Sequence, residues 1–239
     1  MLDKFRNIVN GLGLESVARP LYTTVVPLLW RDKWSREFVD PYSELENEYK
    51  VIFVHVPKNA GNGFAQSVFG MNPKGHNYCW HYKKYDQGKY NQYFKFSLTR
   101  NVHSRFYSAY RYLMTGGFGV YDREFRSRYL KDLSFEDFVM KMSYEESYRK
   151  SVMSWTHFIP QVDFLLVEGR CELDYVGSVE KIDDAMKDVS ERLGIEFSEN
   201  KVVNSSGTEQ LEEYYTPVLY DLVEEFYKKD VHFINNMKS

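Results

Sequence analysis

The stretch VIFVHVPKNAGNGFAQSVFG, residues 51–70, decides how the rest of the chain is read. Val51–Val56, apolar apart from His55 and bounded by Pro57, is the first clear strand of the sequence. Gly61 and Gly63 follow as a turn, and a short helix is expected from about Gly63 to Val68, stopped by Gly70. Strand, glycine turn and helix in that order make an anion cradle, because glycines let the backbone approach a ligand and helix-start N–H groups lack partners. A triphosphate-binding loop carries its lysine after the glycines. Here Lys58 comes before them, so the cradle is built for something else.

Outward from this stretch, strands alternate with helices. YFKFSLT (93–99) alternates Phe94, Phe96 and Leu98 as a half-buried strand. RNVHSRFYSAYRYLM (100–114) reads as a helix with Asn101 as its N-cap and Phe106, Ala109, Tyr110 and Leu113 on one face, ended by TGGFG. LSFEDFVMKM starts another helix, with Ser134 and Asp137 as a cap-like pair. FLLVEG and LDYVGSVE look like later strands. Ile182, Met186, Val189 and Leu193 give a further helix, stopped by Gly194, and the segment after Glu209 is helical near Pro217. Residues 71–92 read as irregular. The pattern implies an α/β fold, a central parallel β-sheet flanked by helices, with ligands beyond the strand carboxyl ends.

Bulk composition narrows the partners. The chain has 239 residues, 43% hydrophobic and 27% charged, and is globular rather than disordered. Its 31 basic and 34 acidic residues argue against bulk nucleic-acid binding, so any anion site is local. Cys79 and Cys171 are too few for a disulfide framework and fit a reducing compartment. LYTTVVPLLW is cut by Pro27 and too short to span a bilayer. Leu2, Phe5, Ile8 and Val9 have helical spacing, so residues 2–10 either lie on a membrane surface or dock on the domain, as amphipathic helices usually do. Residues 1–48 read as a helical or irregular extension and 49–239 as the domain. The expected location is cytoplasmic or membrane-peripheral.

The second motif gives the first its meaning. Arg100 ends a strand at a helix start, a natural position for a bidentate grip on phosphate, and Ser108 lies about two turns into that helix. FVHVPKNAGNGF and FKFSLTRNVHSRFYSAYRYL together resemble the sulfotransferases that use 3′-phosphoadenosine 5′-phosphosulfate (PAPS), in their carbohydrate branch. HFIPQVDFLLV and LDYVGSVEKIDDAMKDVSERLGI are similar to later landmarks of that family, and the likeness runs from about residue 50 to the C-terminus. The resemblance implies a P-loop-like three-layer fold. It implies that Pro57, Lys58, Asn59, Ala60, Gly61, Asn62, Gly63 and Phe64 hold the 5′-phosphosulfate, with Lys58 stabilising the leaving phosphate. Arg100 and Ser108 would hold the 3′-phosphate, in PAPS as donor and in PAP as product. The family loop usually carries Thr-Ser where this chain has Asn62 and Gly63, so two hydroxyl donors are absent.

A transferred sulfuryl group needs a base at the acceptor hydroxyl. Gly75-His76 resembles a Gly-His of the family, which makes His76 the preferred base; His55, His157 and Glu168 are the alternatives. His157 and Gln161 match another landmark, whose role is substrate contact or architecture. His76, Cys79 and His81 lack the paired spacing of a closed zinc site, so no metal is expected. RYLMTGGFGVYDREFRSRYLK (111–131) mixes glycines, rings and arginines, which suits an anionic glycan, with Arg111 and Arg123 as its candidate contacts, or else a glycine loop and a solvated helix. The expectation is sulfation of a carbohydrate hydroxyl; the alternatives are a non-sugar alcohol, a phenol, a protein tyrosine, or a binding module without catalysis. Oligomeric state is not legible.

Overall fold

The structure is a computed structural model that describes residues 40–196 and 211–237. The amphipathic segment 2–10 and the LYTTVVPLLW run therefore lie outside the described residues. One compact unit begins at Tyr42 and includes α1 (Glu44–Tyr49). Leu45 of α1 sits in the core with 1% exposure.

Three parallel strands form the centre: β1 (Val51–Val54), β2 (Phe94–Thr99) and β5 (Tyr175–Ser178), in the spatial order β1-β2-β5. Phe53 pairs with Phe96, and Phe96 with Tyr175. Both sheet faces are covered, which explains why β1 is an unbroken apolar run. Val51 and Phe53 join Phe96, Leu98, α2 (Gly61–Val68) and α10 (Ile182–Leu193) on one side. Ile52 and Val54 join α3 (Cys79–Tyr85), α4 (Gln87–Gln92) and α9 (Gln161–Leu165) on the other. The mixed α/β class with a parallel sheet between helices is as expected.

Local signals located most elements. Asn101 accepts from the amides of His103 and Ser104 at the start of α5 (Val102–Met114). Ser134 accepts from Asp137 N at the start of α7 (Phe135–Tyr144), and Gly194 closes α10 at φ 65°. Pro217 opens α11 (Pro217–Phe226), which is followed by α12 (Lys228–Met237). α5 packs Phe106, Tyr110 and Leu113 into a separate aromatic core with Phe125 of α6 (Val120–Phe125), Phe138, Tyr148 of α8 (Glu146–Met153), Phe158 and Tyr227.

Four expectations need correction. Residues 71–92 are not irregular, because α3 and α4 fill much of them; burial of Cys79, Tyr82 and Tyr90 drives aromatic residues of modest helix propensity into helices. β2 is buried on both faces rather than half-buried: its Ser97 and Thr99 donate to the carbonyls of Val54 and Gly177. Of FLLVEG, Phe164 and Leu165 end α9, and only Leu166–Val167 (β3) pairs, with Arg170–Cys171 (β4). β1 stops at Val54, leaving His55 and Val56 to the loop.

Gly177 lies where β5 meets its neighbours: a Cβ there would be 2.8 Å from Ala185 Cβ and 2.9 Å from Leu98 Cδ2. Gly177→Ala is expected to destabilise the domain by about 1–3 kcal/mol through overpacking, read as a lower urea midpoint with an unchanged slope.

Candidate active site

The loop after β1 and the start of α5 both lie at the carboxyl edge of the sheet, where α/β proteins bind ligands. A buried side-chain amide joins them. Gln161 Oε1 accepts from the Arg100 amide at 2.9 Å and from Asn59 Nδ2 at 2.7 Å, while Gln161 Nε2 donates to the Arg100 carbonyl at 2.8 Å. Asn59 Nδ2 also donates to the Leu98 carbonyl at 2.6 Å. Gln161 itself is fixed from behind: the buried Asp230 accepts from the amides of Gln161 and Val162 at 2.8 and 3.0 Å, occupying the start of α9.

Two arginines brace the loop further. Arg100 Nη1 donates to the Lys58 carbonyl at 3.0 Å, and Arg105 Nε donates to the Pro57 carbonyl at 3.0 Å. Arg105 is 2% exposed, and its Nη2 is buried with no hydrogen-bond partner among the described residues. Lys58 and Ala60 have φ of 69° and 55°, a left-handed geometry that L side chains adopt at a cost and that such bracing sustains. No side chain caps α2, whose first turn is Gly61, Asn62 and Gly63. Uncapped helix-start amides, a lysine and a buried guanidinium nitrogen with an unused donor fit an anion.

The predicted loop residues thus divide. Ala60, Gly61, Asn62 and Gly63 present the helix start. The Phe64 amide is committed to the Ala60 carbonyl at 3.0 Å and its ring is in the core. Asn59 and Pro57 serve the loop's own bracing. Ser108 is half-buried on α5, while Arg111 and Arg123 are exposed, the former over the Tyr107 ring.

Beside the lysine stands a polar cluster. Lys58 Nζ lies 4.1 Å from the centre of the Tyr112 ring. The Tyr112 hydroxyl donates to Asp122 Oδ2 at 2.8 Å, the Phe118 amide donates to the same oxygen at 3.1 Å, and His157 Nε2 lies 3.4 Å from Asp122 Oδ1. The His157 ring is 6.4 Å from that of His76, which is 4.4 Å from that of His55. His76 Nδ1 lies 3.0 Å from the His55 carbonyl, and His55 Nδ1 3.2 Å from the Gly75 carbonyl. Glu168 is exposed in the β3–β4 turn at φ 51° and belongs to no such cluster. Tyr112, Asp122 and Arg105 were not singled out from the sequence. Helical spacing from Arg105 to Tyr112, which places both on one face of α5, was the available signal.

Electrostatics follow from burial among like charges. Burial, then the neighbouring Arg100, lowers the Lys58 ammonium to about 8 against the opposing pull of Asp122. Burial alone would raise Asp122, but its hydrogen bonds from His157 and Tyr112 bring it down to about 2. Burial lowers His157 and takes His55 to about 4. A group that weakly basic is a poor proton acceptor at neutral pH, so His55 acts as packing: a Cβ on Gly61 would be 2.1 Å from its ring. Among the described residues, no group of three His, Cys, Asp or Glu side chains is arranged to hold a metal.

Two predictions follow from these contacts. Gln161→Leu strands the Arg100 amide and carbonyl and one N–H of the Asn59 side chain, and is expected to cost about 3 kcal/mol in urea unfolding. Unfolded His55 binds a proton below about 6.5 but folded His55 only below about 4, so its burial removes stability as pH falls through that window. The wild-type loss there, relative to His55→Phe, is expected to reach about 3 kcal/mol, measured as urea midpoints against pH.

The family model described as "Sulfotransferase family" matches residues 44–234 of this chain. No curated protein and no solved structure matches it.

Proposed function

The chain belongs to the sulfotransferase family, and on that premise we propose that it transfers a sulfuryl group from PAPS to a hydroxyl of a carbohydrate. The observation that carries the reading is the gathering of Lys58, Arg100 and Arg105 on one loop beside an uncapped helix start. This is a concentration of positive charge and N–H donors in a chain whose formal net charge is -3. A phosphosulfate bears the complementary charge, and the lysine preceding the glycines suits it better than a triphosphate.

In this mechanism the acceptor oxygen attacks sulfur in line, the bond from sulfur to the phosphate oxygen breaks, and PAP departs with the electron pair of that bond. Lys58 neutralises the charge that grows on the departing phosphate, aided by the α2 amides. Arg100, between β2 and α5, braces the loop and with Ser108 of α5 serves the 3′-phosphate. His76 takes the acceptor proton. A carbonyl only accepts, so the Nδ1 facing the His55 carbonyl carries the hydrogen, and the lone pair of the neutral ring is on Nε2. The acceptor side is assigned to the His76–His157 cluster and the 115–131 segment, where Phe118 is 94% exposed. No described helix is long and apolar enough to cross a membrane.

Calorimetry with PAP tests the donor site. Micromolar affinity is expected, lost at least tenfold (about 1.4 kcal/mol) in Lys58→Ala and Arg100→Ala and weakening as pH rises through about 8, where the ammonium is lost. Preference for ATP with magnesium rejects the reading. His76→Ala is expected to abolish sulfate transfer to a glycan panel while sparing PAP affinity; unchanged turnover rejects His76 as base.

A further inference from the structure

Asp122 is a buried carboxylate at the centre of the site with no part in the chemistry just described. It is 9% exposed, and it accepts from the Tyr112 hydroxyl and the Phe118 amide, with His157 on its other oxygen. The chain is shaped around it: Gly117, at φ +58°, would set a Cβ 2.3 Å from the Asp122 Cβ. Exposed glycine loops are seldom anchored this way, and a carboxylate is seldom buried without a charge to serve.

We propose that Asp122 is a positioning residue that, through Tyr112, fixes the Lys58 ammonium and the Gly117–Phe118 turn in one arrangement. The inference rests on the reading of Lys58 as the donor-side cation. Its geometry is a short chain of contacts. The carboxylate pins the Tyr112 phenol, the face of that ring carries the ammonium at 4.1 Å, and the same carboxylate oxygen ties down the turn that presents Phe118. Among the described residues, the cations Arg100 and Arg105 oppose the Lys58 charge, and the Asp122 carboxylate and Tyr112 ring favour it. His157, lowered by burial, adds no counter-charge. Asp122 is thus the anion that lets a lysine stay charged between two arginines, and it couples that charge to the loop on the acceptor side.

The direct test is the titration of Lys58, followed in the whole protein by trace acetylation across pH with peptide mass spectrometry. The wild-type midpoint is expected near 8. Asp122→Asn, nearly isosteric, is expected to lower it by at least about half a unit, so that labelling at pH 7 rises about threefold. A purely structural carboxylate leaves the midpoint where it was, and that result overturns the proposal. Thermal unfolding shows whether Asp122→Asn folds. If it does not, Tyr112→Leu, at a half-buried position, decides by the same criterion, since it removes both the ring face and the phenol. Failure of the sulfotransferase reading shows separately, as absence of PAP binding by the wild-type protein whatever its Lys58 midpoint.

Discussion

The site depends on one side-chain amide. Gln161 uses its oxygen and its nitrogen on both backbone groups of Arg100 and on the Asn59 side chain, and so locks the end of β2 to the loop after β1. Neither segment has a regular ladder there, because the strands have ended and α2 and α5 have barely begun. Buried polar groups without partners cost about 1–3 kcal/mol each, so the amide is worth far more in place than a single hydrogen bond suggests. Asp230 extends the lock outward to α12, since it fixes the start of α9 on which Gln161 stands.

A loop held this firmly can carry unfavourable charge. Three cations share it, and burial first, with repulsion from Arg100 and Arg105 after it, puts Lys58 well below the ordinary lysine range. Two buried carboxylates offset this from different sides: Asp230 near Arg105, and Asp122 near Lys58. Surface ion pairs such as Lys150–Glu146 contribute little by comparison, being screened and mostly exposed. What remains at the loop is a residual positive field.

The neighbouring histidines show how position divides one residue type into different jobs. His55, His76 and His157 form a run of adjacent rings. His55 is packed under Gly61 and stays neutral, His157 is set by Asp122, and His76 is half-buried with its tautomer fixed by a backbone carbonyl. Sequence preferred His76 and kept His55 and His157 as alternatives, but it could not tell that His55 is sealed in, because burial is a property of the packed chain.

What the sequence by itself determined is local: the β1 run and its glycine turn, the Asn101 and Ser134 caps, the Gly194 stop, and the order of motifs that marks the family. These signals act over a few residues, so they are written in neighbouring letters. α3 and α4 escaped because their aromatic residues have weak helix propensity and fold only against a partner surface. Tertiary structure alone decided the clasp of Gln161 on residues 61 and 102 positions away, the bracing by Arg105, and the meeting of Asp122 with Tyr112 and His157. Hydrogen bonds and charges act through space, and their partners are chosen by the fold, not by the chain order.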